Sequence, residues 1–273
     1  MGDLAPTAES PFFIRAQEKK DMSNPVTIYV GYDQREDTPY NILKKSIRRH
    51  ASSPVNIIPI KQEALRTVGL YNRDYTTTLI GNNNQKVDKL DGRPFSTDFS
   101  FTRFLVPHLN LFRGWALFID CDMFFRSDVM ELFNTYNDPD IALYTVEHNY
   151  KPTASFKMDN QKQESYNMKN WSSVMLWNCE HPIHRNLTVS DVNTKSGSWL
   201  HQFKWMSSEM DSLGDMDEEW NWLDNHSSED IEAKNVHFTT GGPFFETWKG
   251  SRVSDKRYAE EWLTELEIYN NEY

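Results

Sequence analysis

Cysteine is almost absent: Cys121 and Cys179 are the only two in 273 residues. Two cannot make a disulfide framework, and both sit in apolar runs where a reduced thiol behaves as a small core residue, which points to a reducing, cytoplasmic compartment. Long hydrophobic runs are missing as well. No stretch approaches the roughly 20 apolar residues that a membrane span requires, so no transmembrane segment is expected. Positive charge is in deficit, with Lys+Arg 29 against Asp+Glu 40 and a net charge of −11. Such a chain is a poor match for a nucleic-acid backbone or an anionic membrane, and a phosphate-bearing ligand would need a local device. No Walker sequence, Gly-x-Gly-x-x-Gly, His-Glu-x-x-His or Cys-x-x-Cys occurs, so P-loop phosphoryl transfer, dinucleotide redox work and zinc hydrolysis lose their main signals. Aromatic residues, by contrast, are plentiful: 9 Trp, 12 Tyr and 16 Phe. In a chain of mean hydropathy −0.71, that many rings invite a use beyond core filling.

Residues 1–24 mix Pro, Glu, Gln and Lys around the short apolar patch Phe12, Phe13 and Ile14, and are expected to form a flexible leader. Residues 25–273 show no repeat or Pro-rich linker and are expected to fold as one domain. Val26 to Val30 alternates as a strand and ends at Gly31-Tyr-Asp33, while Thr38 as cap and Pro39 at the first position predict a helix to His50. A second strand is expected over Asn56 to Ile60, and strand, helix, strand at this spacing favours a parallel α/β sheet. Tyr71 to Pro94 reads as a long surface loop or a small excursion. Ser96 or Thr97 predicts the cap of a helix that carries Phe101, Arg103, Phe104 and Leu105 and ends near Pro107. Trp115 to Ile119 reads as a central strand covered on both faces. Further strands are expected at Ile141 to Val146, Val174 to Asn178 and Val236 to Thr239. A closing helix from Ser254 aligns Tyr258, Trp262, Leu266 and Tyr269.

The chemistry concentrates where the strand ending at Ile119 runs into Asp120-Cys-Asp122. Carboxylates at i and i+2 project to one side of an extended segment, past the carboxyl end of a buried strand, where open α/β sheets bind ligands. A hard divalent cation takes oxygen ligands and bridges a carboxylate to a diphosphate, which would let an acidic protein hold an anionic substrate. His237, at the end of a late strand and followed by Gly241-Gly242-Pro243, is the natural third ligand, and glycine backbone there can approach phosphate oxygens closely. His181-Pro-Ile-His184, with turn-like context, reads as a surface loop.

These residues in this order resemble the GT-A nucleotide-sugar glycosyltransferases, especially the glycogenin-like family 8 group and the glycosyltransferase domains of chlorella viruses and their bacterial relatives. The likeness spans about Val26 to Trp248. It rests on Ile28-Tyr-Val-Gly-Tyr-Asp33, Phe101-Thr-Arg-Phe-Leu-Val-Pro107, Leu117-Phe-Ile-Asp-Cys-Asp122, Trp171-Ser-Ser-Val-Met-Leu-Trp-Asn178, Glu219-Trp-Asn-Trp222 and His237-Phe-Thr-Thr-Gly-Gly-Pro. The late motif departs from family 8, with Gly-Gly-Pro-Phe-Phe where a Lys-Pro-Trp ending is usual. The resemblance implies an α/β GT-A (Rossmann-like) fold with a mixed, mainly parallel sheet flanked by helices. It implies transfer of a hexose or deoxyhexose from a nucleotide diphosphate sugar, a UDP-sugar, to a hydroxyl acceptor such as a glycan, with Mn²⁺ or Mg²⁺ on Asp120, Asp122 and His237.

By the same resemblance, Val30, Gly31, Tyr32, Asp33, Arg103, Asp120, Cys121, Ser172, Ser173, Gly241 and Gly242 would line the nucleotide-sugar site. Arg103 would support the departing diphosphate or orient an aspartate, and Asp122 would be catalytic through the metal. Trp171, Trp220 and Trp222, with Trp177, are candidates for a sugar platform, of which one or two are expected to touch ligand and the rest to be core. For an inverting reaction a catalytic base is sought among Asp217, Glu218 and Glu219, with Glu219 as the candidate; retention or inversion is left open. Two other classes compete: a noncatalytic sugar-nucleotide or carbohydrate-binding protein on the same fold, against which the intact Asp120, Asp122 and His237 speak, and a sugar nucleotidyltransferase, which should carry an early Gly-rich phosphate loop that is missing after Val30.

Overall fold

The computed structural model describes residues 25–80, 83–148, 156–157, 161–162, 168, 170–224, 226–239, 241–244 and 257–272. The leader expected over 1–24 lies outside them. The chain opens with β1 (Val26–Gly31), whose Ile28 and Val30 are fully buried. Asp33, not Thr38, provides the cap that follows, accepting from the Arg35 amide at 3.0 Å to start a 3-10 turn over Gln34–Glu36. That turn runs into α1 (Asp37–His50), so the helix starts earlier than the proline predicts, and Pro39 is accommodated in a first turn whose amides need no helical acceptor. Next come β2 (Val55–Ile60) and a short α2 (Gln62–Thr67).

Between Tyr71 and Pro94 the excursion is an antiparallel sheet of β3 (Tyr75–Ile80), β4 (Asn83–Asp88) and β5 (Pro94–Phe95). Its threonines read as loop by composition, yet Thr76, Thr77 and Thr78 pair cross-strand, as β-branched residues favour. The helix expected from Ser96 or Thr97 does not form there. Thr97 and Ser100 hydrogen-bond each other and the Thr97 carbonyl instead, a local turn that competes with helix. A 3-10 turn (Thr102–Leu105) follows and leads into α3 (Val106–Leu109), with Pro107 in its first turn instead of at its end.

The centre of the molecule is β6 (Trp115–Ile119), followed at once by β7 (Met123–Phe125), then α4 (Val129–Thr135) and β8 (Leu143–Thr145). A small hairpin, β9 (Phe156–Lys157) with β10 (Gln161–Lys162), precedes β11 (Val174–Asn178). Then come α5 (Val189–Thr194), α6 (Gly197–His201), β12 (Leu213–Asp215), β13 (Trp222–Leu223), β14 (Asn235–His237) and α7 (Ala259–Asn271), the last burying Trp262. The part of the closing helix expected before Arg257 lies outside the described residues. His181 and His184 are not a surface loop. His181 caps a 3-10 turn (Pro182–Asn186) in which His184 is fully buried, because its Nε2–H finds the Ala142 carbonyl at 2.9 Å and its ring packs on Trp177.

The main sheet has six strands in the order β12-β8-β11-β6-β1-β2. Three of its five pairings are parallel (β1/β2, β1/β6, β12/β8) and β11 runs antiparallel to both β6 and β8. It is therefore a mixed, mainly parallel sheet with helices around it, in one α/β domain. β6 is buried on both faces from Ala116 to Ile119, as its unbroken apolar run requires. A smaller sheet, β13-β14-β7, places His237 opposite Met123 in antiparallel register. No helix among the described residues is long and apolar enough to cross a membrane.

Candidate metal centre

Three segments meet at the carboxyl edge of the main sheet. Val30 pairs with Ile119 across the parallel β1/β6 ladder, so Gly31, Tyr32 and Asp33 leave the sheet beside Asp120. β11 is antiparallel, so the turn that starts it, Trp171–Ser173, arrives at the same edge, and the Asp120 amide donates to the Ser173 carbonyl at 3.0 Å. β14 lies against β7, and the Phe238 amide donates to the Asp122 carbonyl at 3.0 Å. That pairing, built on a three-residue strand directly after the aspartates, is what carries His237 across 115 residues to Asp122.

The outcome is a cluster of Asp120, Asp122 and His237 in which one ligand atom from each lies within 4.8 Å of the others. His237 is 1% exposed and its Nε2 stands 3.3 Å from Asp122 Oδ1. Its Nδ1 lies 2.9 Å from Asn221 Oδ1. Two carboxylates and one imidazole make an oxygen-rich mixed donor set, which suits a hard or borderline divalent cation such as Mg²⁺ or Mn²⁺ and not a soft one. Arg103 approaches from behind: its Nη1 is 2.9 Å from Asp120 Oδ1 and donates to the Ser172 carbonyl at 2.7 Å, while Nε donates to the Phe99 carbonyl. Asp120 is thereby held by its side chain and its backbone at once.

At the end of β1, Gly31 is set by packing: a Cβ there would stand 2.5 Å from ring carbons of Phe99. Tyr32 is half-buried, donates from Oη to Asp37 Oδ1 at 2.7 Å and carries the Lys61 ammonium 4.5 Å above its ring. The hydrogen bond to Asp37, reinforced by burial, pushes its hydroxyl up to about 12. Burial alone would raise the Asp33 carboxyl, but the Arg35 guanidinium and amide outweigh it and hold the group below the usual carboxylate range. The Asp98 amide also donates to Asp33, at 3.2 Å. Ser172 and Ser173 are buried, the former with Oγ 2.8 Å from His201 Nδ1. Gly241 takes φ +97°, a conformation glycine adopts readily, and a Cβ on Gly242 would meet Phe244 and Phe238.

The four tryptophans separate. Trp177, Trp220 and Trp222 are core side chains, at most 2% exposed, whereas Trp171 keeps a partly open face beside the site and donates from Nε1 to the His148 carbonyl at 3.4 Å. The three acidic candidates separate too. Asp217 accepts from Tyr136 Oη at 2.9 Å, and Glu219 pairs with Lys234 at 3.0 Å. Lys234 precedes β14 and His237 ends it, so the partner of Glu219 stands three residues before His237. Glu218 points elsewhere, with its carboxylate 3.9 Å from the buried His148. Burial, aided by the charge of His237, pushes His148 down to about 3.

Sequence reasoning missed Glu36, which is fully buried and accepts from the Cys121 thiol at 3.1 Å. Burial, and then the charge of Asp122, push its carboxyl well above the ordinary range, and burial does the same for the Cys121 thiol. In the sequence Glu36 stands among Arg35 and Asp37, where it looks like ordinary charge at a helix start. Asn221 was missed as well, although a polar residue between two buried tryptophans is a readable signal.

No protein-family profile matches the chain. Among solved structures it resembles the bifunctional glycosyltransferase WbbM, with TM-score 0.55 and 16% identity over 96% of this chain; the chain spans about half, 53%, of that one. It also resembles the galactosyltransferase LgtC in complex with donor and acceptor sugar analogues, with TM-score 0.51 and 12% identity over 89% of this chain and 96% of that one. These likenesses show the fold to be GT-A-like. The relationship that reaches into sequence is to Protein CDI of Arabidopsis thaliana, 40% identical over 262 residues that cover 94% of this chain and 90% of that protein. At that identity, over nearly the full length of both, the chain belongs to the family of Protein CDI.

Proposed function

We propose that this protein is a metal-dependent glycosyltransferase that transfers a hexose or deoxyhexose from a nucleotide diphosphate sugar, a UDP-sugar, to a hydroxyl group of a glycan acceptor. The observation that carries the reading is the convergence of Asp120, Asp122 and His237 within 4.8 Å at the carboxyl edge of a GT-A-like sheet. These three residues would hold Mn²⁺ or Mg²⁺, and the bound cation would supply Lewis-acid stabilisation of the departing diphosphate. Val30, Gly31, Tyr32 and Asp33 then border the nucleotide, with Lys61 over the Tyr32 ring adding a positive charge to that side. Arg103 fixes the rotamer of Asp120, Trp171 offers an apolar face to a sugar, and the Gly241-Gly242 backbone closes on the phosphates. In an inverting reaction the proton of the acceptor hydroxyl would fall to one of Asp217, Glu218 and Glu219, with Glu219, beside Lys234, as the candidate. Residues 25–273 form the catalytic domain, and two free buried cysteines fit a cytoplasmic location.

A panel of UDP-sugars incubated with the protein and Mn²⁺ tests this directly. We expect hydrolysis or transfer of at least one donor, loss on adding chelator, and a fall of at least about 100-fold in Asp122→Asn, the kinetic equivalent of about 2.7 kcal/mol of lost charge stabilisation. Equal turnover by Asp122→Asn and wild type would overturn the site; turnover of no donor in the panel would overturn the donor class.

A further inference from the structure

The hydrogen bonds that reach the metal-binding side chains from behind converge on one turn, Asn170 to Ser173. Asn170 takes the left-handed conformation, φ 65°, and its carbonyl accepts from the Ser173 amide at 3.2 Å, from Ser173 Oγ at 2.6 Å and from Asn221 Nδ2 at 3.3 Å. A carbonyl cannot donate, so the end of the Asn221 amide that faces it is the NH₂. Ser173 Oγ has a single proton and directs it at Asn170, so it offers Asn221 Nδ2, at 2.9 Å, only lone pairs. Both contacts orient the amide the same way. Asn221 Oδ1 therefore faces His237 Nδ1 at 2.9 Å, and an oxygen without a proton can only accept.

We propose that Asn221 is a positioning residue that holds a proton on Nδ1 of His237, so that Nε2 is the nitrogen left for the cation beside Asp122. The inference rests on reading Asp120, Asp122 and His237 as a metal centre. A metal-ligating histidine needs a lone pair on the coordinating nitrogen, and a hydrogen bond at the other nitrogen decides which one that is. Asn221 is 0% exposed between Trp220 and Trp222, so water does not stand in for it. The same turn holds the other arm of the site: the Ser173 carbonyl accepts the Asp120 amide and the Ser172 carbonyl accepts Arg103 Nη1, the atom that also meets Asp120. One backbone turn thus sets the backbone of one ligand and the tautomer of another.

The test uses the full chain without any sugar nucleotide. Long-range ¹⁵N–¹H correlation spectra of metal-free protein at pH 8 read the tautomer of each histidine, and Mn²⁺ titration followed by electron paramagnetic resonance reads affinity. We expect Nδ1–H at His237 in wild type, a tautomer mixture with about 10- to 100-fold weaker Mn²⁺ binding in Asn221→Leu, and the wild-type tautomer retained in Asn221→Asp, which keeps the acceptor oxygen. A His237 ring without a proton on Nδ1 in wild type would overturn the proposal, as would unchanged Mn²⁺ affinity in a folded Asn221→Leu. Should that variant not fold, the wild-type spectrum still decides. Failure of the glycosyltransferase reading is distinguishable: it would leave the tautomer and the Mn²⁺ affinities as expected while no UDP-sugar turned over.

Discussion

His184 is buried with its Nε2–H on the Ala142 carbonyl, and its Nδ1 has no hydrogen-bond partner among the described residues. A proton added at Nδ1 would be a buried charge, so burial pushes the ring down to about 4. An unfolded histidine titrates near 6.5, so between these values the unfolded chain binds more protons than the folded one. The contribution of His184 is therefore complete above pH 6.5 and declines as pH falls toward 4, by up to about 3 kcal/mol. His148, pushed down to about 3, adds to the same slope. Urea denaturation at pH 7.5, 6 and 5 should show stability falling through this window, and His184→Gln, which keeps a donor toward Ala142, should flatten it. An equally steep profile in the variant would refute the assignment. The sequence around His184, with Pro182 and two histidines, carried turn chemistry correctly but no sign that the turn is packed under a strand.

Elements differ in how plainly they can be read. β6 was legible because a strand buried on both faces must be apolar throughout, and β1 because its apolar residues alternate over strand length. The aspartates were legible for the same reason, as the first polar residues past such a strand. β7 was not: three apolar residues have no period, and only its pairing with β14 makes it a strand, though it is the element that delivers His237 to Asp122. The helix expected from Ser96 failed because Thr97 and Ser100 satisfy each other locally. Gly31, which the resemblance places at the nucleotide-sugar site, is also required by packing. In Gly31→Ala the new methyl would stand 2.5 Å from Phe99, a core ring that is 1% exposed. We expect a loss of about 1–3 kcal/mol, as for other overpacked cores. In a Phe99→Leu background the same change should cost less, so urea midpoints of the four proteins in this cycle should be non-additive. Additive values would mean that the ring is free to move aside and that glycine is required for another reason.

At the scale of the molecule, a buried cation is one of the ties that join the excursion β3-β4-β5 to the body, beside the Gly197 amide on Asp91 and the Lys86–Asp98 pair. Arg73 is 2% exposed; it pairs with the buried Asp88 and donates from Nη1 to the carbonyls of Val192 at 3.1 Å and Lys195 at 2.6 Å, at the end of α5. Its guanidinium also lies 3.9 Å from the centre of the Phe101 ring, just ahead of the turn that carries Arg103. A second tie, from the Asn72 amide to Asn193 Oδ1 at 2.7 Å, runs to the same helix. Removing one member of a buried pair leaves the other charged and desolvated, which typically costs about 3–5 kcal/mol, whereas removing both costs much less. Arg73→Met should therefore destabilise the protein strongly, and Arg73→Met with Asp88→Asn should recover part of the loss. Because the clamp joins two regions and not the main sheet, the damage should be local. In amide hydrogen exchange, β3, β4 and α5 should lose protection in Arg73→Met while β1, β6 and β11 keep theirs. An equal loss in β1 and β6 would show that the excursion and the main sheet unfold as one unit and that Arg73 supports the whole fold, not the attachment of a part.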